Sequence, residues 1–246
     1  MRVAFSLISL LLLSSPTSSV RLLASFHGNQ VPDIHFAIRV LKNEIKQWPE
    51  PVLGVIAKEK ADPFHVLIAC ILSLRTKDQT TKEASHRLFS LAKGPNAMAR
   101  LPVNQLERAI YPVGFYRTKA KHIHGICERL LTSHRGLVPD TIQALLMLEG
   151  VGRKTANLVV TLGFKKPGIC VDVHVHRISN RWGYVKTSKP EETEHALRKK
   201  LPRQYWRIFN DLLVPFGQHC CRPVSPFCSQ CPVISFCRRI GVSRSR

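Results

Sequence analysis

The stretch from Leu148 to Asp172, LEGVGRKTANLVVTLGFKKPGICVD, constrains this chain more than any other. Thr141 to Leu148 has helical character, with Asp140 placed to cap it, and Arg153 to Gly163 again reads as helix. Only Gly150, Val151 and Gly152 link the two, which leaves room for nothing but a tight hairpin. Glycines there permit positive φ and let a partner approach the backbone closely. The second helix then opens with free N–H groups, a ready anion site. Arg153 and Lys154 fall in its first turn, where the helix dipole disfavours cations. That placement points to an anionic partner, and a chain of phosphates supplies one. Taken alone, the stretch also fits an ordinary helical hairpin with two solvated basic residues.

Charge shifts the balance. The 246 residues suffice for one or two domains, and Lys plus Arg outnumber Asp plus Glu by 37 to 16, a formal charge of +21. So one-sided a surface implies a polyanion, with nucleic acid first and an anionic membrane second. Binding through such a face is salt-sensitive, because phosphate contacts release counterions.

The first 20 residues differ from the rest of the chain. One Arg, an apolar run from Val3 to Leu13, then Ser, Pro and Thr look like a weak secretory signal, and the run is too short to span a bilayer. A secreted fate fits poorly with a reduced metal site, so a disordered extension, an early-assigned start or an organelle-targeting tail is preferred. A cytoplasmic or nucleoid location is expected if the source is bacterial.

From Pro32 the pattern is helical. Asp33 is placed to cap a helix to about Trp48, and Asp62-Pro63 to start the apolar helix FHVLIACILSL. Asp78 reads as the cap of an amphipathic helix to about Ala92, stopped by Gly94-Pro95. Further helices are read over Val103–Ile110, 117–133, Asp172–Arg181, Glu191–Leu201 (with Ser188 and Glu191 as a capping box) and Arg203–Phe216. No alternating run reads as a sheet, so the fold class is all-α.

Of eight cysteines, Cys70, Cys127 and Cys170 sit among apolar residues as buried thiols. Cys221, Cys228, Cys231 and Cys237 follow the spacing C-x6-C-x2-C-x5-C, with Cys220 beside them. Structural zinc usually takes two close pairs set well apart, whereas four Cys in a compact loop also suit a [4Fe–4S] cluster. Spacing puts the cluster ahead of zinc without excluding it.

The hairpin and the cysteine pattern together make the chain resemble the endonuclease III family, the iron–sulfur DNA glycosylases of base-excision repair. The likeness rests on LEGVGRKTANLVV (148–160), VDVHVHRISNR (171–181) and the cysteines of 221–237. PFHVLIACILSLRTKD (63–78) and GFYRTKAKHI (114–123) extend it over about residues 32–240. The resemblance implies a two-lobed helix-hairpin-helix fold. Residues 55–166 would form a helical barrel. Residues 32–54 with 167–246 would form a discontinuous domain holding a [4Fe–4S] cluster on Cys221, Cys228, Cys231 and Cys237, and residues 1–31 would be an extension. It implies double-stranded DNA with a damaged base or abasic site as partner, no membrane, and action as a monomer. The family's catalytic lysine falls on Lys154 and its aspartate on Asp172. Gly150, Val151, Gly152, Arg153 and Thr155 would grip the backbone. Arg75 and Phe115 are candidates, by position, to fill the gap left by an extruded base, though Phe115 fits a core equally well. Glu149 departs from the family's usual proline, and Arg75 from its frequent glutamine.

The implied activity is a bifunctional glycosylase and abasic-site lyase acting on oxidised pyrimidines, with Lys154 forming a Schiff base at C1′ and Asp172 offsetting charge on the sugar. Three rivals stand beside it. An adenine mismatch glycosylase lacks the lysine and needs a glutamate where this chain has the apolar run Val66–Leu72. A T·G mismatch glycosylase of the same fold is harder to separate, and a non-catalytic helix-hairpin-helix binder is the third.

Overall fold

The computed structural model describes residues 33–60 and 62–246, so the expectations for residues 1–31 lie outside it. Among the described residues every regular element is helical. None of these helices is long and apolar enough to cross a membrane.

One core is built around α3 (Pro63–Ser73). The Asp62 carboxylate accepts from the N–H groups of Phe64 and His65, and Pro63 takes the first helical position, where a missing N–H is no loss. Phe64 and every residue from Val66 to Leu72 are buried. A helix apolar on all sides must be enclosed. The elements that enclose it are α2 (Val52–Lys60), α4 (Asp78–Leu91), α7 (Tyr116–His134) and α9 (Arg153–Leu158). Two short helices, α5 (Pro95–Ala99) and α6 (Val103–Ile110), cover α7, whose apolar stripe Ile123, Ile126, Cys127 and Leu130 is fully buried. A further short helix, α8 (Ile142–Leu146), packs on α9.

A second apolar cluster gathers α1 (Ile34–Glu44), α10 (Val173–Arg181), α11 (Pro190–Lys200) and α12 (Trp206–His219) with the cysteine-rich loop. Phe209 and Phe216 are fully enclosed there beside Trp182. The chain passes between the clusters at Ile169–Val171.

Several local expectations are corrected. Helix α2 has no local start signal. Its cap lies far away in sequence, since Val52 N–H donates to the Asp78 carboxylate at 3.2 Å, 26 residues on. Asp78 is thereby the first residue of α4 rather than its cap, a position held by Lys77. Asp140 does not cap α8 either. Thr141 does, while Asp140 pairs with Lys166 at 2.5 Å. The Ser188–Glu191 box does not form: Ser188 N–H donates to Glu192, and Pro190 opens α11. Gly94-Pro95 both ends α4 and starts α5. Past Leu158 the hairpin helix widens into a π-turn over Val159–Gly163, where Phe164 N–H reaches back to the Val159 carbonyl.

A charged network ties the hairpin helix to α11. Arg153 makes a two-pronged contact with Glu194, 3.0 Å on each arm, and Arg198 meets the same carboxylate at 2.9 Å. Arg198 also donates to the fully buried Asn157 of α9. Burial pushes the Glu194 carboxyl upward, but the hydrogen bonds from Arg153 and Arg198 outweigh it and hold its pKa below the usual value.

Two stability outcomes are expected. Leu67→Ala, at a fully buried site in α3, should cost about 2–5 kcal/mol in urea unfolding, as transfer and cavity terms add. Glu194→Gln removes the charge that two guanidinium groups share and should cost about 1–3 kcal/mol at neutral pH. Because the folded pKa is depressed, this stabilisation is present above the ordinary value of 4.5 and is lost as pH falls through the folded value. The wild-type and variant melting curves should converge in acid.

Candidate active site

Two residues from opposite sides of the junction meet at its centre. Lys154 stands in the first turn of α9, and Asp172 precedes α10. The Lys154 Nζ lies 3.6 Å from Asp172 Oδ2. The lysine side chain is 44% exposed and the aspartate 6%, so an amine open to the cleft faces a carboxylate fixed in the wall. Asp172 divides its oxygens: Oδ1 accepts from His174 N–H at 2.9 Å and Val175 N–H at 3.0 Å, leaving Oδ2 for the lysine. Beneath them lie Cys70 and Cys170, buried thiols as expected, with burial pushing the Cys70 pKa up to about 12.

The pair borders two cavities. One, of about 600 Å³, is also lined by Asn157, Lys189 and Glu194. The other, of about 200 Å³, runs between α2, α9 and α12 and includes Leu53, Leu158 and Asn210.

Among the expected backbone-binding residues, the structure separates side chains from main chain. Gly150 has φ +75°, and a Cβ there would collide with the ring of His122, so glycine is required twice over. Gly152 faces open space. The side chains of Val151 and Thr155 are buried, and the Val151 N–H already donates to the Leu148 carbonyl at 3.1 Å. Arg153 is occupied by Glu194 and, at 3.7 Å, by Glu191. Glu149 lies 3.4 Å from His122 Nε2.

Arg75 and Phe115 come together. The guanidinium carbon stands 5.6 Å from the centre of the Phe115 ring, and Phe115 is 63% exposed, which removes it from the core. Both have left-handed backbones, φ 54° and 58°, at a cost of about 1–2 kcal/mol each. Lys119 holds the Arg75 turn. Its ammonium donates to the carbonyls of Leu72 at 2.8 Å and Leu74 at 2.5 Å, and to the Thr76 hydroxyl at 3.2 Å. Gly114 N–H reaches the same hydroxyl, and a Cβ at Gly114 would meet the Arg75 carbonyl at 2.6 Å. Burial lowers the Lys119 pKa to about 8. No sequence signal singles out Lys119, because a lysine in a basic helix reads as a solvated cation.

The four spaced cysteines line one small cavity with Cys220, Phe227 and Trp182. Two guanidinium groups of α10, Arg181 buried and Arg177 half-buried, close on this loop. Arg177 donates to the carbonyls of Gly217 and Cys221, and Arg181 to Cys221 Sγ at 3.5 Å and to the carbonyls of Arg222 and Pro223. Neither has a carboxylate partner among the described residues. Such cations without carboxylates fit a set of anionic thiolates, and Arg239 N–H already donates to Cys237 Sγ at 3.3 Å. Among the described residues no three His, Cys, Asp or Glu side chains are arranged to hold an ion.

Comparison with known proteins accords with this geometry. Residues 68–203 match the family described as HhH-GPD superfamily base excision DNA repair protein. The endonuclease III of Thermotoga maritima is 47% identical over 191 residues, covering 76% of this chain and 90% of that protein. By contrast, the chain spans about half the length of two chloroplastic endonuclease III homologs of Arabidopsis thaliana, 48% and 50%. Among solved structures, a non-covalent Endonuclease III–DNA complex is similar with a TM-score of 0.74 at 33% identity, covering 84% of this chain and 94% of that one. A trapped Endonuclease III–DNA covalent intermediate is also similar, with a TM-score of 0.70 at 34% identity and coverage of 82% and 95%. With its helical fold, its hairpin and the Lys154–Asp172 pair, this chain belongs to the HhH-GPD superfamily of base excision DNA repair proteins.

Proposed function

We propose that this chain is a bifunctional DNA glycosylase and abasic-site lyase of base-excision repair, acting as a monomer on duplex DNA that carries an oxidised pyrimidine. The observation that carries the reading is the 3.6 Å approach of Lys154 Nζ to Asp172 Oδ2 at the mouth of a cleft. A non-catalytic DNA grip needs neither a cleft amine nor a carboxylate left open to meet it.

The chemistry follows from these two groups. The target nucleotide leaves the stack, at a cost of a few kcal/mol that is smallest for a damaged pair. Lys154, having released a proton, attacks C1′ with its lone pair. The bond from C1′ to the base breaks, and the base departs with a proton. Asp172 Oδ2 stabilises the positive charge that develops on the sugar. The opened sugar is held as a Schiff base, loses a C2′ proton and expels the 3′ phosphate, which nicks the strand. Water then frees the lysine. Arg75 and Phe115 together fill the vacated position in the duplex, their strained turns set beforehand by Lys119. The main-chain N–H groups of Gly150, Gly152, Arg153, Lys154 and Thr155 take backbone phosphates, with Arg153 shaping the turn through Glu194. Residues 55–166 act as the barrel lobe, and residues 32–54 with 167–246 as the second.

Cys221, Cys228, Cys231 and Cys237 would hold a [4Fe–4S] cluster, which would supply no electrons to base excision and would stiffen the loop on which Arg222, Arg238 and Arg239 meet phosphate.

Borohydride reduction with lesion-bearing duplex tests the chemistry. Wild type should yield a covalent adduct and Lys154→Ala none; an adduct that persists in Lys154→Ala defeats the assignment. Asp172→Asn keeps a capping oxygen and should melt near wild type, while excision slows about 10²-fold or more. The purified chain should be brown and contain iron and sulfide, and Cys231→Ala should lose both and melt earlier. A colourless, zinc-loaded protein would replace the cluster with a zinc tetrathiolate.

A further inference from the structure

The smaller cavity beside Lys154 contains a carboxylate that takes no part in the chemistry at the sugar. Asp211, on α12, lines its wall with Asn210, opposite the apolar side chains of Leu53, Leu158 and Leu162. Three other polar groups there have tasks. Asp172 caps α10 and faces Lys154, Asp78 takes the Val52 N–H, and Asn210 donates to the Cys170 carbonyl. Asp211 is mostly buried and has no hydrogen bond or ion pair among the described residues. The nearby cation Lys58 is taken by Glu50 at 2.8 Å. Burial raises the Asp211 pKa to about 6, with Glu50 adding to the effect and Lys58 and Arg207 opposing it. The group is therefore ionised at neutral pH, and the desolvation of its charge costs stability.

We propose that Asp211 reads the extruded base, accepting a hydrogen bond from the exocyclic amino group of a cytosine-derived lesion while Lys154 engages the sugar. The inference rests on the glycosylase reading and adds a substrate preference to it. A carboxylate can only accept, and an amino group at C4 can only donate. A uracil-derived lesion would turn its C4 carbonyl toward the same carboxylate, acceptor against acceptor. Sites built to bond a substrate N–H reject the analogue that lacks it.

Two duplexes that differ only at C4 of the lesion, 5-hydroxycytosine against 5-hydroxyuracil, test this with the full chain. Single-turnover base excision by the wild type should favour the amino-bearing lesion. Asp211→Asn presents a donor or an acceptor equally and should shrink that preference about tenfold. The preference is a ratio within one preparation, so loss of folded protein does not alter it. The variant should also melt above wild type, which a merely structural residue would not do. An identical preference in wild type and variant, or none in wild type, overturns the role of Asp211. Cleavage of a plain abasic duplex reports separately on Lys154. A wild-type chain that nicks neither lesion nor abasic DNA overturns the glycosylase reading and this inference with it.

Discussion

The site depends on how Asp172 shares its two oxygens. One is committed to the first turn of α10, where two backbone N–H groups fix it. The other is therefore aimed, without any freedom of its own, at Lys154. A carboxylate serving only as a cap would point both oxygens along the helix, and one serving only as a counter-ion would have rotameric freedom to lose on each encounter. Here the helix start does the orienting, at the moment the chain folds.

That arrangement is useful only if α9 and α10 keep their separation, and the two apolar clusters do not guarantee it. The chain crosses between them at Ile169–Val171 and again between Trp48 and Leu53. The buried Glu194 supplies the missing constraint. By gripping Arg153 and Arg198 it fastens the residue next to Lys154 to a helix of the other cluster. Lys119 plays a comparable part on the far side of the cleft, holding three oxygen atoms of one strained turn. In both places a buried charge sets position, which packing alone sets less sharply.

Much of this is legible in the residues. Lys154 and Asp172 stand out by their places in a hairpin and at a helix start, and the apolar run of α3 announces a central helix. What escapes a local reading is interaction across long sequence distance. Helix α2, with a glycine inside and prolines before it, is capped by an aspartate 26 residues away, and Asp78 reads locally as the cap of its own helix. The hairpin arginine reads as a phosphate contact, since nothing local shows that Glu194 folds back onto it. Phe115 is balanced between core and surface, because an aromatic residue in a turn carries no periodicity. Lys119 and Asp211 are invisible for one shared reason: burial of a charged side chain has no signature in the residue itself.

Helix α10 begins at the aspartate and, nine residues later, ends in Arg181, which is clamped onto the cysteine loop. A stiff rod joins the two, with Arg177 bracing its middle against the Gly217 and Cys221 carbonyls. Oxidants that disrupt those sulfurs would thus slacken the far anchor of the very element that orients the carboxylate. On the proposed chemistry, chemical injury at the periphery is in mechanical series with catalysis, so the same agents that scar a genome would mute this chain without ever reaching its cleft.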